Sequence, residues 1–356
     1  MAKAKVYCVR LPDRASVDVL AEAAATLARA AFRGVVVEKR PCAIKQHFGE
    51  GSNDGYLKPE IARVMVEFVR AQGGLPFLTD TNTLYRGRRS NAVGHLAQAA
   101  DNGFTHERLG APVIIADGLL GAEQVTVPIE GGKHFKDVRI AAAAYHAASA
   151  IVLTHVKGHC QVGLGGSIKN VGMGFAARAG KLAQHHGGLP EFKSEKCTAC
   201  GTCARWCPAH AIRLQPKATL LGERCIGCGE CFALCPADAI GFRWSEDGPV
   251  LIERICEHAL GFLSNKRGHV GYVNFVHHLT KDCDCLDKKQ KPEYPDVAVL
   301  AGTDMVAVDK AAADLAIERA GKDIWSAWWP KSDYTSFFTY GERIGLGTAR
   351  YELVIL

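Results

Sequence analysis

The sequence predicts an α/β fold, a layered and at least partly parallel sheet that is interrupted by a small inserted unit. Short β-branched runs alternate with helical stretches in both outer parts of the chain. Most of these strand runs are almost wholly apolar, as is typical of strands covered on both faces. Between the two parts, eight of the fourteen cysteines fall in one short segment. So dense a group indicates a unit with a chemistry of its own.

The elements of the first part follow one another in a regular order. We predict strands at 5–9, 34–40, 75–81, 111–118, 125–129 and 150–159. We predict helices at 16–32, 59–72, 89–101 and 140–149. This alternation predicts the layered sheet.

The last part of the chain continues the same pattern. We predict strands at 271–276, 296–302 and 351–356, and a helix at 306–320. Polar stretches with Gly and Pro precede and follow the cysteine-rich segment, as is typical of domain boundaries. The predicted organisation is therefore a body at 1–189 and 245–356 with an inserted unit at 190–244. A separate third domain at the end of the chain remains an alternative.

The inserted segment contains two copies of C-x-x-C-x-x-C-x-x-x-C-P, beginning at Cys197 and at Cys225. Thiolates are soft ligands, and this spacing is that of bacterial ferredoxins with 4Fe–4S clusters. The fourth cysteine of each run serves the other cluster of the pair. The first predicted set is Cys197, Cys200, Cys203 and Cys235, and the second is Cys225, Cys228, Cys231 and Cys207. An inserted ferredoxin-like α+β unit with two 4Fe–4S clusters is therefore expected.

Structural zinc sites and disulfides are the two other uses of such cysteines, and the sequence favours neither. Zinc sites use pairs of C-x-x-C and not two triplets that are each completed by Cys-Pro. Disulfides suit exported proteins, and the sequence begins with a strand and helix pattern and not with a signal peptide. We therefore expect a cytoplasmic protein of an organism that tolerates low-potential iron–sulfur chemistry.

Composition excludes further classes of function. The apolar runs are too short for a membrane span. The formal charge of +6 falls to about +2 once two oxidised cubanes are counted. The basic residues do not form a stripe interleaved with aromatic residues. Neither a membrane span nor nucleic-acid binding is expected.

A glycine-rich stretch at 155–175 follows the apolar strand run AIVLT and leads towards a helix. Such a turn offers N–H groups and a helix dipole to an anion. Lys157 and Lys169 add charge, and His155 and His159 add acid–base capacity. The spacing fits neither a dinucleotide fingerprint nor a phosphate loop. The alternative is a tight structural turn with surface lysines.

Cys283 and Cys285 lie two residues apart, just after the strand at 271–276. A C-x-C step lets both thiolates converge on one metal, with Cys160 as a third partner if the loops meet. Ordinary reduced thiols are the alternative. Cys8, Cys42 and Cys256 lie in apolar contexts and are expected in the core.

Two further loops follow predicted strands. Their charged and polar residues are Lys45, His47, Glu50, Asp80, Asn82, Arg86, Arg88 and Arg89. Ligands of α/β sheets bind at such strand ends, and converging cations suit a carboxylate or phosphate. For the arginines, a solvated helix start is an equal alternative.

The sequence resembles a family of uncharacterised iron–sulfur-centre proteins, a domain of unknown function with an inserted two-cluster ferredoxin unit. The matching stretches run in order along nearly the whole chain, among them HFGEGSNDGYLKP, HVKGHCQVGLGGSIKNVGMGF, both cysteine runs, CDC and GTDMVAVDKAA. The resemblance implies the split α/β body. It also implies site roles for Lys157, His159, Lys169, Asn170, Cys283, Cys285, Asp304 and Asp309. The Gln161 context of Cys160 departs from the family pattern.

Two functions follow from these observations. The first is an oxidoreductase that takes electrons from a soluble donor protein through two clusters to a site in the body. An anionic small molecule would be reduced there, with Lys157, His155, His159, Lys169 and Asn170 as catalytic residues and a third metal or thiol pair at Cys283 and Cys285. The second is an electron-transfer or accessory protein that docks to a redox enzyme or delivers a metal or cluster. A bare carrier would not need so large a body, which favours the first.

Overall fold

The computed structural model describes residues 3–85, 87–186, 189–242 and 248–356. Its strands are, in chain order, β1 (Ala4–Arg10), β2 (Pro41–Lys45), β3 (Leu75–Asp80), β4 (Val113–Ile115), β5 (Gln124–Pro128), β6 (Asp137–Ala141), β7 (Ser149–His155), β8 (Lys157–His159), β9 (Gly163–Gly165), β10 (Glu191–Phe192), β11 (Ile212–Leu214), β12 (Ala218–Leu220), β13 (Ile240–Gly241), β14 (Val270–Val276), β15 (Ala298–Gly302) and β16 (Tyr351–Ile355). Its helices are α1 (Val17–Ala31), α2 (Pro59–Ala71), α3 (Ala92–Asp101), α4 (His106–Leu109), α5 (Ala142–His146), α6 (Ser167–Gly172), α7 (Arg178–His186), α8 (Thr202–Arg205), α9 (Glu230–Leu234), α10 (Gly248–Leu263), α11 (Met305–Ala320), α12 (Ile324–Trp328) and α13 (Ser336–Arg343).

Eight strands form one large sheet in the order β16-β1-β15-β14-β7-β2-β3-β4. β15 pairs antiparallel with both of its neighbours, and every other pairing in this sheet is parallel. Strands from both sides of the cysteine-rich segment contribute to it. The chain therefore has the α/β fold that the sequence predicts.

The core lies on both faces of this sheet because side chains alternate along each strand. In β7, Val152 packs in one cluster of buried residues while Ile151 and Leu153 pack in the other. Cys8, Cys42 and Cys256 are all fully buried, as expected from their apolar contexts. In the described residues, helices that combine the length and apolarity needed to cross a bilayer are absent.

Helix ends follow their capping signals. Ser16 caps α1 by accepting a hydrogen bond from the backbone N–H of Val19. Asp304 caps α11 in the same way through Ala307. Both helices begin and end within one residue of the predicted bounds.

Two predicted elements are wrong. The run at 34–40 forms turns, and the strand is Pro41–Lys45 instead. Gly34 and Lys39 both have positive φ, which a strand does not accommodate. The predicted helix at 140–149 is only Ala142–His146, because Ile140 and Ala141 belong to β6, which pairs with β5.

The cysteine-rich segment folds as a small unit with its own core. β10 pairs with β13, and β11 pairs with β12. Its buried cluster contains cysteines together with aliphatic and aromatic side chains, namely Cys203, Ile212, Ala218, Cys231, Phe232, Cys235, Ala239 and Ile240. The predicted boundary at 244/245 lies outside the described residues, as does Arg86.

Candidate functional site

A cavity of about 800 Å³ lies at one edge of the large sheet. Lys45, Asp80 and His155 line it, and they are the last residues of β2, β3 and β7. These strands are parallel neighbours, so their carboxyl ends meet at the same edge. This is where α/β sheets bind ligands.

A buried network of charges forms one wall. Lys45 Nζ lies 2.9 Å from Asp80 Oδ1 and donates to Asn170 Oδ1 at 2.9 Å. Arg89 donates to Glu50 Oε2 at 2.7 Å and to Asp80 Oδ2 at 3.2 Å. Burial alone would raise the pKa of Asp80, but the neighbouring cations, Lys45 foremost, hold that pKa below its usual range. The network therefore stays ionised and fixes the lysine at the cavity wall.

Asn170 holds Lys45 in place at this wall, and both the oxygen and the nitrogen of its side-chain amide form hydrogen bonds. Its Nδ2 donates to the carbonyl of Leu153 and to Thr154 Oγ1, both at 3.0 Å, while its Oδ1 accepts from Lys45. The predicted catalytic residue Asn170 is thus placed at the cavity as a support for Lys45.

His155 and Lys157 share one carboxylate. His155 Nδ1 and Lys157 Nζ lie 2.9 Å and 3.0 Å from Asp284 Oδ2. His155 Nε2 lies 3.0 Å from the carbonyl oxygen of His277, so both of its ring nitrogens face acceptors. His155 therefore orients Asp284 and Lys157, and it does not offer an N–H to a bound molecule.

The C-x-C pair also lines the cavity. A nitrogen of His159 and the sulfurs of Cys283 and Cys285 all lie within 4.8 Å of one another. Lys169 Nζ lies 3.6 Å from Cys283 Sγ. The hydrogen bond from Cys285, helped by Lys169, holds the pKa of Cys283 well below its usual range although burial opposes this. The same bond and burial raise the pKa of Cys285.

The hydrogen bond to His159 indicates which nitrogen of its imidazole ring carries the proton. Its Nδ1 accepts a hydrogen bond from the backbone N–H of Gln161 at 3.2 Å, and burial lowers the pKa of the ring well below its usual range. The ring is therefore neutral, with Nε2 as a donor. Cys160 also lines the cavity but is exposed, and burial of its sulfur raises the pKa of its thiol.

The glycine-rich turn is the predicted feature that the structure corrects. The backbone N–H groups of Ser167 and Ile168 at the start of α6 are taken by the carboxylate of Asp309, at 2.6 Å and 2.8 Å. A protein carboxylate thus occupies the place expected for a bound anion. Asp304 serves as the cap of α11 and accepts from Thr348. Neither aspartate lines the cavity, so both family-implied positions have structural roles.

Two residues that the sequence analysis did not single out complete the site. Lys181 and His185 lie one turn apart on α7 and both line the cavity. Lys181 donates to Thr81 Oγ1 and to the carbonyl of Asn82. Burial lowers the pKa of Lys181 to about 8 and that of His185 to about 3. Their i, i+4 spacing was the available signal.

The charged side chains that line the cavity, within the part of the chain that the structure describes, favour an anionic ligand. Six cationic side chains line the cavity, namely Lys45, Lys157, Lys169, Lys181, Arg88 and Arg89. Four carboxylates face them, namely Glu50, Asp80, Asp284 and Asp287. The excess of positive charge suits a carboxylate or phosphate.

The cysteine-rich unit contains two small cavities. Cys197, Cys200, Cys203 and Cys235 line one of them. Cys207, Cys225, Cys228 and Cys231 line the other. These are the same two sets that the motif spacing assigns, with the fourth cysteine of each run exchanged between them.

The backbone around these sulfurs fits an iron–sulfur cluster. N–H groups of Ala199 and Ala218 point at Cys197 Sγ at 3.4 Å and 3.5 Å, and that of Gly227 points at Cys225 Sγ at 3.4 Å. Hydrogen bonds of this kind stabilise thiolates that hold a cluster. They lower the pKa of Cys197. Gly201 and Gly229 have φ of 76° and 73°, which lets each loop curl around its cavity.

The unit contacts the body at Arg178. A Cβ added to Gly229 would lie 2.9 Å from Arg178 Cδ, so the second cysteine loop packs directly on this side chain. Arg178 is fully buried, and its guanidinium donates to the carbonyls of Leu120 and Ser90. It begins α7, the helix that carries Lys181 and His185 into the cavity. One helix thus joins the second cysteine set to the cavity.

These features define a class: an α/β protein with a polar, cationic cavity at the ends of its parallel strands and a cysteine-rich unit packed beside it. Residues 42–314 match the family described as Domain of unknown function (DUF362), and the chain belongs to that family. No curated protein has a significantly similar sequence.

Two solved structures resemble the fold. One is a Thermotoga maritima protein from a structural genomics consortium, with 9% identity and a TM-score of 0.44 over 86% of this chain. The other is the lactate racemase apoprotein of Thermoanaerobacterium thermosaccharolyticum, with 9% identity and a TM-score of 0.40 over 89% of this chain. The chain spans 60% and 56% of their lengths. Similarity at this level indicates neither a substrate nor a cofactor.

Proposed function

We propose that this protein is an iron–sulfur oxidoreductase that reduces an anionic small molecule in the cavity at the sheet edge. The observation that carries the proposal is the contact between the second cysteine loop and Arg178, since α7 continues from that contact into the cavity. Two 4Fe–4S clusters, held by the two cysteine sets, would supply one-electron transfers when bound.

The contact with Arg178 gives the unit an outer and an inner side, because it is the loop of the second set that packs on that side chain. Cys200 of the first set is exposed, and Leu214 beside it is 36% exposed. A soluble donor protein in the cytoplasm would therefore dock near Cys200, and the second set would face the catalytic site.

The cavity residues divide into binding and proton-handling roles. Lys157 and Lys169 would hold an anionic group, because the first is oriented by Asp284 and the second faces the cavity beside Cys283. His159 is neutral with Nε2 as a donor, so it would hydrogen-bond to the developing charge on the substrate. Lys181 has a pKa of about 8 and would give up a proton near neutral pH.

The experiment is anaerobic re-oxidation of the reduced protein by a panel of small carboxylate and phosphate acceptors, followed by cluster absorbance. We expect at least one acceptor to re-oxidise the wild type, and Lys169→Met to slow that reaction at least about tenfold, the effect of one lost charged contact of about 1.4 kcal/mol or more. Lys322 is exposed and does not line the cavity, so Lys322→Met is the matched control.

The alternative is a carrier without a substrate of its own, docking to a redox enzyme or delivering a metal or cluster. Electrons would then leave at the surface of the cysteine-rich unit. In that case Lys169→Met and wild type would be re-oxidised at equal rates by every acceptor, and the oxidoreductase proposal would fail. The depth and charge of the cavity support the enzyme over the carrier.

A further inference from the structure

The loop of Cys283 and Cys285 forms a turn at the wall of the cavity. Leu286 N–H donates to the carbonyl of Cys283 at 3.1 Å, which closes a turn with Cys285 inside it. The two thiols share a hydrogen bond. Both side chains line the cavity, and Cys283 is only 5% exposed. A turn holds alternate Cα atoms within the range of about 4.4–6.8 Å that a disulfide spans.

We propose that Cys283 and Cys285 form a reversible disulfide whose reduced form, a thiolate and a thiol, stores two electrons at the cavity wall. Lys169 lies 3.6 Å from Cys283 Sγ and would stabilise the thiolate when the bond opens. Cys285 would then hold the proton of the pair. A ring nitrogen of His159 lies within 4.8 Å of both sulfurs.

The S–S bond breaks on uptake of two electrons and one proton, which leaves one thiolate on Cys283 and one thiol on Cys285. The electrons come from a soluble low-potential donor and the proton from solvent in the cavity. When a two-electron acceptor in the cavity takes the electrons and a proton, the S–S bond forms again. The inference rests on the proposed function for this donor and acceptor.

His159, Cys283 and Cys285 together resemble a zinc site, but the tautomer of His159 argues against one. A ligating Nε2 needs the proton on Nδ1, and here Nδ1 already accepts from the backbone N–H of Gln161. A ligating Nδ1 would have to break that hydrogen bond. The pair is therefore better suited to exchange between disulfide and dithiol than to permanent ligation.

The test is differential alkylation of the anaerobically purified protein, poised at a series of potentials and read by peptide mass spectrometry. We expect Cys283 and Cys285 to be unlabelled together in the oxidised protein and labelled together after reduction, with a two-electron titration. In Cys285→Ser, Cys283 should be labelled at every potential. Cys160→Ser, an exposed cysteine on the same cavity, is the matched control and should leave the titration unchanged.

Several results would overturn the inference. Labelling of both cysteines at every potential would exclude the disulfide. A bridge between Cys160 and Cys283 would assign the bond to another pair. One equivalent of metal that is lost in Cys283→Ser would show a metal site instead. Iron content measured on the same sample separates these outcomes from failure of the proposed function, because the eight cysteines of the two sets line cavities other than that of this loop and would bind iron whether or not the disulfide forms.

Discussion

Replacing Gly229 by alanine tests the contact that joins the cysteine-rich unit to the body. Gly229 has φ of 73°, and its new Cβ would lie 2.9 Å and 3.0 Å from Arg178 Cδ and Cγ. Arg178 is 0% exposed and its guanidinium is anchored to two carbonyls, so its stem cannot swing away freely. The matched control is Gly201→Ala, with φ of 76° and only Leu214 Cδ2 at 3.5 Å.

Both substitutions pay about 1–2 kcal/mol for a left-handed alanine. Gly229→Ala adds an overpacking cost of about 1–3 kcal/mol at Arg178. That extra cost corresponds to a factor of about 5–150 in local opening. Hydrogen exchange by mass spectrometry should therefore show faster exchange in α7 for Gly229→Ala and an unchanged α7 for Gly201→Ala. Equal exchange of α7 in the two variants would refute the docking contact.

Three further predictions follow from buried charges. Burial raises the pKa of Asp309 to about 6, so above about pH 4 the folded state holds a proton that the unfolded state has lost. The wild type should therefore lose stability as pH rises from about 4 to 6, and Asp309→Asn should flatten this pH dependence. Denaturant titration at several pH values measures both. Arg178→Gln should lower the reduction potential of the cluster proposed for the second cysteine set, because a positive charge beside Cys228 and Cys231 is removed. The potential of the cluster proposed for the first set should not change. EPR-monitored redox titration measures the two potentials, and equal shifts of both would contradict the prediction. Lys45→Met should destabilise the protein by about 3–5 kcal/mol, because Asp80 stays buried without this partner. Adding Asp80→Asn to that variant should restore part of the lost stability. No recovery in the double variant would show that Lys45 and Asp80 are not coupled.

Local signals were sufficient for much of the fold. The helical pattern at 16–32 and the alternation of helices and strands were enough to predict α1 and the class of the sheet. The strand predicted at 34–40 failed because β-branched content alone does not reveal the positive φ of Gly34 and Lys39. Turn geometry at these two residues overrode the strand preference of the three valines between them.

The candidate site was predictable where spacing alone carries chemistry. The two cysteine sets came from motif spacing, and the cavity residues at 45, 80 and 155 came from their positions at strand ends. Asp309 was different, since it reaches Ser167 across 142 positions of sequence. No local pattern indicates that a carboxylate from α11 would take the N–H groups of the glycine-rich turn. Lys181 likewise reaches Thr81 only through the packing of α7.

The measurement that tests the central claim most directly is iron, sulfide and zinc per chain after anaerobic purification, with low-temperature EPR of the reduced protein. The account predicts about eight irons and eight sulfides per chain and the signals of two interacting 4Fe–4S clusters. It also predicts that Cys203→Ser and Cys228→Ser each disturb a different one of the two signals. Zinc in place of iron, or a single signal that both variants abolish alike, would contradict it.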